Sequence, residues 1–150
     1  MFKSLTGNSC LKILNISSID GILKNKVTVE GAGYLKMLLT SESCGLDTIY
    51  LDNINLGTEG TKSSFDIINF PPLKCLTLSK NEIGSKSMHL FSEKISALPL
   101  MHLDLSKNNI MDVGLKSISH ILGSSYGKNS ASINLIHLNL SSNNITSHGL

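Results

Sequence analysis

The chain has 150 residues, of which 41% are hydrophobic and 16% are charged, and its net charge is +2. This composition excludes an intrinsically disordered chain, and the length predicts one domain that buries a core without a covalent staple. All 13 basic residues are lysine and tryptophan is absent. We therefore expect no nucleic-acid partner, since such proteins concentrate basic and aromatic side chains on one face.

The N-terminal segment, MFKSLTGNSCLKILN, lacks the continuous apolar stretch of a signal peptide. No apolar run approaches the roughly 18 residues of a membrane span, so we expect no membrane partner. The three cysteines, Cys10, Cys44 and Cys75, form an odd and widely spaced set. Such a set predicts free thiols in a reducing compartment, and the expected location is the cytoplasm.

Five segments with the same spacing of apolar residues follow one another along the chain. They start near Leu11, Leu46, Leu73, Leu100 and Leu135, and the clearest copies read LKCLTLSKNEI, LMHLDLSKNNI and LIHLNLSSNNI. The starts lie 35, 27, 27 and 35 residues apart. Self-similarity at such a period predicts a repeat solenoid, in which neighbouring repeats must stack because one repeat cannot close a core alone.

Each repeat predicts a short strand followed by a helix. The L-x-L pattern alternates with the period of a strand, so Leu103 and Leu105 face the core. His102, Asp104 and Ser106 then face the opposite, solvent-exposed side. Apolar residues recur at helical spacing further along each repeat.

One column of polar residues stands just before each helical stretch. All its members are preferred helix N-cap residues, and we expect their side chains to accept hydrogen bonds from the first turn. The column holds Thr58, Ser85, Asp112 and Ser147, and the first repeat has Val29 at this place.

The pattern L-x-x-L-x-L-S-x-N-x-I resembles the leucine-rich-repeat family, in its intracellular, ribonuclease-inhibitor-like class. The resemblance runs from Leu11 to Leu150. It implies an α/β solenoid shaped as a horseshoe arc of about four and a half repeats, with a parallel sheet on the concave face and helices on the convex face. It also implies that Asn81, Asn108 and Asn143 point inward as a structural ladder. We expect an interruption at the second repeat, where Ile54 replaces the asparagine.

The outward strand positions are the candidate partner-binding surface. Neighbouring strands lie about 4.8 Å apart, so equivalent side chains form contiguous stripes. The stripes are small, polar and nearly neutral, which suits a protein partner held by hydrogen bonds and a few anchors. The candidate residues are Thr48, Tyr50, Asp52, Cys75, Thr77, His102, Asp104, His137 and Asn139.

Three of these candidates, Cys75, His102 and His137, fall in one row with Asp104 close by. Their types are those of zinc or copper ligands. Side chains that project in parallel from a sheet do not converge on one point, however, so we predict no metal and no cofactor. Walker, GxSxG and HExxH motifs are absent from the sequence, and we predict no catalytic residues and no enzyme activity.

Two insertions depart from the repeat pattern. The first, SIDGILK, contains Ile19, Ile22 and Leu23, and we expect it to fold over the end of the core as a cap. The second, from Gly123 to Asn134, is rich in serine, glycine and asparagine, and we expect a loop before the fifth strand.

The sequence ends at Gly149–Leu150 with no polar capping repeat. We expect residues 1–150 to form one leucine-rich-repeat domain, a fragment of a longer array, that self-associates through its uncapped C-terminal end. The predicted function is a non-enzymatic scaffold that binds a protein partner through the concave face. The alternatives are a GTPase-activating or regulatory leucine-rich-repeat protein for a small GTPase, and the sensor segment of a nucleotide-binding leucine-rich-repeat receptor.

Overall fold

Short strands alternate with helices in the described parts of the chain. A computed structural model describes residues 1–21, 24–66, 72–96, 98–123 and 135–149. The strands are β1 (Ile13–Asn15), β2 (Thr48–Tyr50), β3 (Cys75–Thr77), β4 (His102–Asp104) and β5 (His137–Asn139). The helices are α1 (Phe2–Leu5), α2 (Val29–Leu39), α3 (Gly57–Phe65), α4 (Gly84–Ile95) and α5 (Met111–Gly123).

The strands form one parallel sheet in chain order, β1-β2-β3-β4-β5. The register places His102 beside Cys75 on one side and beside His137 on the other, and the same row continues through Thr48 to Ile13. Each helix packs against the next helix along the chain. The predicted α/β solenoid is therefore confirmed, and an open parallel sheet of this order is consistent with an arc.

The core lies between the sheet and the helices. The central strand residues Leu76 and Leu103 are buried, and so are Leu78 and Leu105 just beyond the strands. From the helices, the rings of Phe65 and Phe91 meet edge to face with their centroids 5.1 Å apart, a favoured aromatic geometry. The period-two alternation of leucines thus points one face of each strand into the core, as predicted.

Buried asparagine side chains connect successive turns where the chain leaves the sheet. The side-chain oxygen of Asn108 accepts from the backbone N–H groups of Asn81 at 2.8 Å and Ile83 at 3.4 Å. Its amide nitrogen donates to the carbonyl of Leu78 at 2.8 Å. Asn81 and Asn143 bond their preceding turns in the same way. Each amide both donates and accepts, so it satisfies backbone groups that the turn would leave unpaired.

The series of asparagines stops at the second repeat, where Ile54 is fully buried. The N–H of Ile54 is bonded by the side chain of Asn81 at 3.1 Å, and its carbonyl accepts from the N–H of Val27 at 2.8 Å. The neighbouring Asn53 supplies a link to the first repeat, because its amide donates to the carbonyl of Ser18 at 3.1 Å.

Alternating left-handed residues shape these turns. Lys80, Glu82 and Gly84 have φ angles of 57°, 55° and 70°. The other repeats hold left-handed residues at equivalent places, namely Asn53, Asn55, Gly57, Lys107, Asn109, Met111, Ser142 and Asn144. Because left-handed residues alternate with the residues between them, the N–H groups of two of those intervening residues point to the same side of the turn. One asparagine side-chain oxygen of the next repeat accepts hydrogen bonds from both. The alternation also directs side chains such as Glu82 and Lys107 away from the core, and both are exposed.

The predicted N-cap column is wrong. Thr58, Ser85 and Asp112 lie inside the first turns of α3, α4 and α5, each of which begins one residue earlier, and Ser147 lies in a turn. The ladder turn leads straight into the helix, so the column is already helical. The residues preceding α3 and α4, Leu56 and Ile83, are apolar and make no side-chain cap.

Two residues of this column, Thr58 and Asp112, bond the next repeat instead. Thr58 donates its hydroxyl to the carbonyl of Ile83 at 2.8 Å. Asp112 accepts from both the N–H and the hydroxyl of Thr146 at 2.7 Å, and these two bonds lower the pKa of Asp112. A side-chain cap occurs at α2, where the hydroxyl of Thr28 accepts from the N–H of Gly31 at 3.2 Å.

The expected cap over the first repeat is also wrong for Ile19, which is 87% exposed. Ile22, Leu23 and most of the expected loop from Gly123 to Asn134 lie outside the described residues. Helix α1 covers this end of the core: Phe2 is buried, and Leu5 packs against the core while partly exposed. The sequence did not predict α1, because four residues are too few to show a helical period.

The prediction that Ser106 is exposed is also wrong. Ser106 is buried, and its hydroxyl lies 2.9 Å from the hydroxyl of Ser79 in the preceding repeat. The two residues stand where the chain leaves the sheet, so a pair of small hydroxyls fills the narrow space between adjacent turns.

Replacing Asn108 with alanine should lower the free energy of unfolding by about 1–3 kcal/mol, because buried backbone groups lose their partners. Asn109→Gly is the matched control, since Asn109 is exposed and its φ of 54° suits glycine. The control should stay within about half a kcal/mol of the wild type. Denaturant midpoints measure both, and equal midpoints would contradict a stabilising role for the Asn108 amide.

Leu105→Ala should lower the free energy of unfolding by roughly 2–5 kcal/mol, because it opens a cavity between two repeats. Leu140 occupies the equivalent place after β5 and is half-buried, whereas Leu105 is fully buried. Leu140→Ala should therefore cost less than half as much. Chemical unfolding of the two variants makes the comparison, and a larger loss at Leu140 would contradict the described packing.

Candidate functional site

The predicted partner-binding residues lie beside one another on the face of the sheet opposite the helices. The strand register aligns Thr48, Cys75, His102 and His137 in one row and Tyr50, Thr77, Asp104 and Asn139 in another. A surface concavity of about 410 Å³ is lined by Tyr50, Cys75, Thr77, His102, Leu103, Asp104 and His137. All but Leu103 were predicted, while Thr48, Asp52 and Asn139 lie outside this lining.

Two histidines dominate one side of the concavity. His102 and His137 are both exposed on adjacent strands, and their ring centroids are 6.1 Å apart at an interplanar angle of 34°. Neither imidazole has a hydrogen-bond partner in the part of the chain that the structure describes. Their polar edges therefore remain accessible to another molecule.

Asp104, beside the histidines, is engaged within the chain. One carboxylate oxygen accepts from the N–H of Ser106 at 2.8 Å, and the other accepts from the side-chain amide of Asn139 at 2.9 Å. This pair links β4 to β5 beneath the histidine row. Asp104 and Asn139 therefore support the surface, because both oxygens of Asp104 and both polar groups of the Asn139 amide are bonded within the chain.

Asp52 joins three repeats. Its carboxylate accepts from the hydroxyl of Ser17 at 3.1 Å, from the hydroxyl of Thr77 at 2.7 Å and from the N–H of Ser79 at 2.7 Å. Charge-assisted bonds of this kind are shorter and stronger than neutral ones. Asp52 and Thr77 thus brace the sheet, which leaves their side chains less free to meet a partner.

The Cys75 thiol stays protonated at neutral pH. Burial raises its pKa, the carboxylates of Asp52 and Asp47 act in the same direction, and a hydrogen bond with Tyr50 opposes them only in part. Since the thiolate is the nucleophile, a raised pKa makes the Cys75 thiol less suited to nucleophilic chemistry. Within the described residues, no three His, Cys, Asp or Glu side chains converge as a metal-binding group.

The sequence did not single out Ile136, which is 70% exposed directly before β5. Its N–H donates to the carbonyl of the half-buried Met101 at 2.8 Å, so two apolar residues are neighbours at the start of β4 and β5. The sequence does distinguish these two positions, because the equivalent residue is charged in the first three repeats. Those residues are Lys12, Asp47 and Lys74.

Two segments of the chain match a known family. The leucine-rich-repeat family model matches residues 98–119 and 131–150, which contain β4, most of α5 and β5. No curated protein matches the chain. Among the described residues, no helix has both the length and the apolar character needed to cross a membrane.

The family matches carry a general implication for function. Leucine-rich repeats generally mediate protein–protein interaction, and proteins built from them are typically non-enzymatic scaffolds. The matches fall on repeats that stack as one five-stranded parallel sheet alternating with helices. These findings support a leucine-rich-repeat protein, and the chain folds as an α/β leucine-rich-repeat solenoid.

Proposed function

We propose that this chain is a non-enzymatic scaffold that binds a protein partner through the concave face of its sheet. The observation that carries the proposal is the concavity beside the exposed pair His102 and His137. Both imidazoles donate or accept hydrogen bonds, and neither is paired within the described residues. The paired strands β4 and β5 hold the two histidines side by side, so association need not order the backbone that carries them.

Aromatic and apolar neighbours supply the anchors that such an interface needs. Tyr50 lines the concavity, and the half-buried Met101 and the exposed Ile136 directly precede β4 and β5. Binding energy in protein interfaces concentrates in a few such residues that become desolvated at the centre. Asp52 and Asp104 hold the strands beneath them through the bonds described above. We assign recognition to the histidines, Tyr50 and Ile136, and support to the two carboxylates.

We also propose the ribonuclease-inhibitor-like class and a cytoplasmic location. Supporting the class, β2, β3 and β4 start 27 residues apart, and α3 and α4 fill the connections between them. Supporting the location, Cys10, Cys44 and Cys75 are free thiols, as a reducing compartment requires.

The His102→Ala/His137→Ala double variant should lose partner binding. Wild-type and variant chains are immobilised and exposed to extract of the source cells, and captured proteins are quantified by mass spectrometry. We expect at least one protein whose capture falls about tenfold or more in the double variant, as for residues at the centre of an interface.

His89→Ala is the matched control, because His89 is an exposed histidine on α4, on the other side of the sheet. It should capture the same protein as the wild type. Unchanged thermal unfolding midpoints would show that both variants fold. Equal capture of every protein by wild type, double variant and control would refute binding by the concave face.

We propose, finally, that the isolated chain self-associates through β5. Within the described residues β5 pairs only with β4, so one edge of it is open. Leu138 and Leu140 are half-buried, whereas Leu103 and Leu105 at the equivalent places are buried. An open strand edge beside incompletely buried leucines favours association.

The sedimentation coefficient of the isolated chain should rise with protein concentration, and Leu140→Lys should suppress the rise. Val113→Lys is the control, because Val113 is 68% exposed on α5, away from β5. A wild-type chain that sediments as a monomer at every concentration would contradict self-association.

A further inference from the structure

We propose a second binding site, for an acidic segment of a protein partner, in a lysine-lined cleft at the turns that follow β1, β2 and β3. The cleft has a volume of about 300 Å³ and is lined by Lys24, Lys26, Asn53, Asn55, Lys80 and Glu82. We call it the turn-edge cleft. It lies apart from the concave face, and its lining shares no residue with the concavity at His102.

The left-handed turns create this cleft. Asn53, Asn55, Lys80 and Glu82 all have positive φ, with values from 55° to 57°. The residues between them, such as Ile54 and Asn81, are fully buried. In the third repeat the alternation holds Asn81 inward and directs Lys80 out of the turn to the rim, whereas Asn53 in the second repeat is buried against Ser18.

A carboxylate of the chain itself already lies against these lysines. The ammonium group of Lys80 contacts the carboxylate of Asp20, which is 69% exposed. The hydrogen bond and charge of Lys80 lower the pKa of Asp20, and the charges of Lys24 and Lys107 lower it further. Lysines of three different repeats therefore surround the Asp20 carboxylate with positive charge.

This internal ion pair is open to exchange. Both groups are solvent-accessible, and exposed ion pairs contribute little to stability. Lys24 has a neutral partner, the side-chain oxygen of Asn53 at 3.2 Å. Lys26 makes no ion pair with the described residues. A carboxylate of a partner can therefore bind these lysines. Its competitors within the cleft are the carboxylates of Asp20 and the exposed Glu82.

The chemistry favours an acidic peptide over a nucleic acid. The lining contains no aromatic side chain on which a base could stack, and stacking contributes much of single-strand affinity. It contains no arginine, whose planar fork suits bidentate phosphate recognition. Asp20 shows how a carboxylate carried on a polypeptide segment reaches Lys80. The occupant we assign is an aspartate- or glutamate-rich segment of a protein partner.

Fluorescence anisotropy with a labelled hexaglutamate peptide tests the site, with hexaglutamine as the uncharged reference. Lys26→Gln should weaken hexaglutamate binding about two- to fivefold, the range for an exposed ion pair. Asp20→Asn should strengthen it by a similar factor, because it removes the internal competitor. Binding should also weaken as salt rises, since exposed charges are screened beyond about 8–10 Å near physiological ionic strength.

Two controls separate this site from net charge. Lys86 is exposed on α4 and Asp66 is exposed after α3. Lys86→Gln and Asp66→Asn change the net charge as the test variants do, yet both should leave the affinity unchanged. Equal effects of test and control variants would overturn the proposal. Displacement of the peptide by inorganic phosphate at equal charge, or tighter binding of oligouridylate through the same lysines, would also overturn it.

Discussion

The hydrogen bonds of three buried asparagines, Asn81, Asn108 and Asn143, are the constraint on which the rest of this structure depends. At the end of each strand the chain must turn into a helix while it remains inside the stack, where water cannot satisfy its backbone groups. Asn108 meets this need by accepting from two N–H groups of the preceding turn and donating to a carbonyl of the same turn. Adjacent repeats are thereby fixed in register, and equivalent residues fall into rows.

The alignment of equivalent residues in rows explains why the candidate binding residues form two separate sites on the surface. Successive residues of each strand face the concave surface and the core in turn, so His102 and His137 become neighbours despite their separation in sequence. The left-handed turns apply a second alternation, which turns Lys80 outward beside the inward Asn81. The alternation of side chains along the strands thus forms the concave face, and the alternation of φ in the turns forms the turn-edge cleft.

The strand rows and the leucine core could be predicted because both follow from spacing alone. The helix starts could not. Thr58 and Asp112 have the chemistry of N-caps, but the turn that precedes them already enters the helix, and their side chains bond the next repeat. Burial of Ser106 depends on its contact with Ser79 in another repeat, which no local pattern records.

The candidate site was predictable in outline and not in detail. The row that contains Cys75 and His102 follows from the register, but the raised pKa of Cys75 depends on burial by other repeats. The three bonds of Asp52 likewise come from the neighbouring repeats. The turn-edge cleft was not predicted, because the contact between Asp20 and Lys80 joins residues of distant repeats.

Native-state hydrogen exchange, read amide by amide, tests the central role of the asparagine turns most directly. The backbone N–H groups of Asn81 and Asn108 are bonded by asparagine oxygens of the following repeat at 2.8 Å. We expect the amide hydrogens of Asn81 and Asn108 to exchange only through global unfolding, while the amide hydrogen of the exposed Glu82 exchanges rapidly. Exchange of the Asn81 and Asn108 amides as fast as that of Glu82 would contradict this central role.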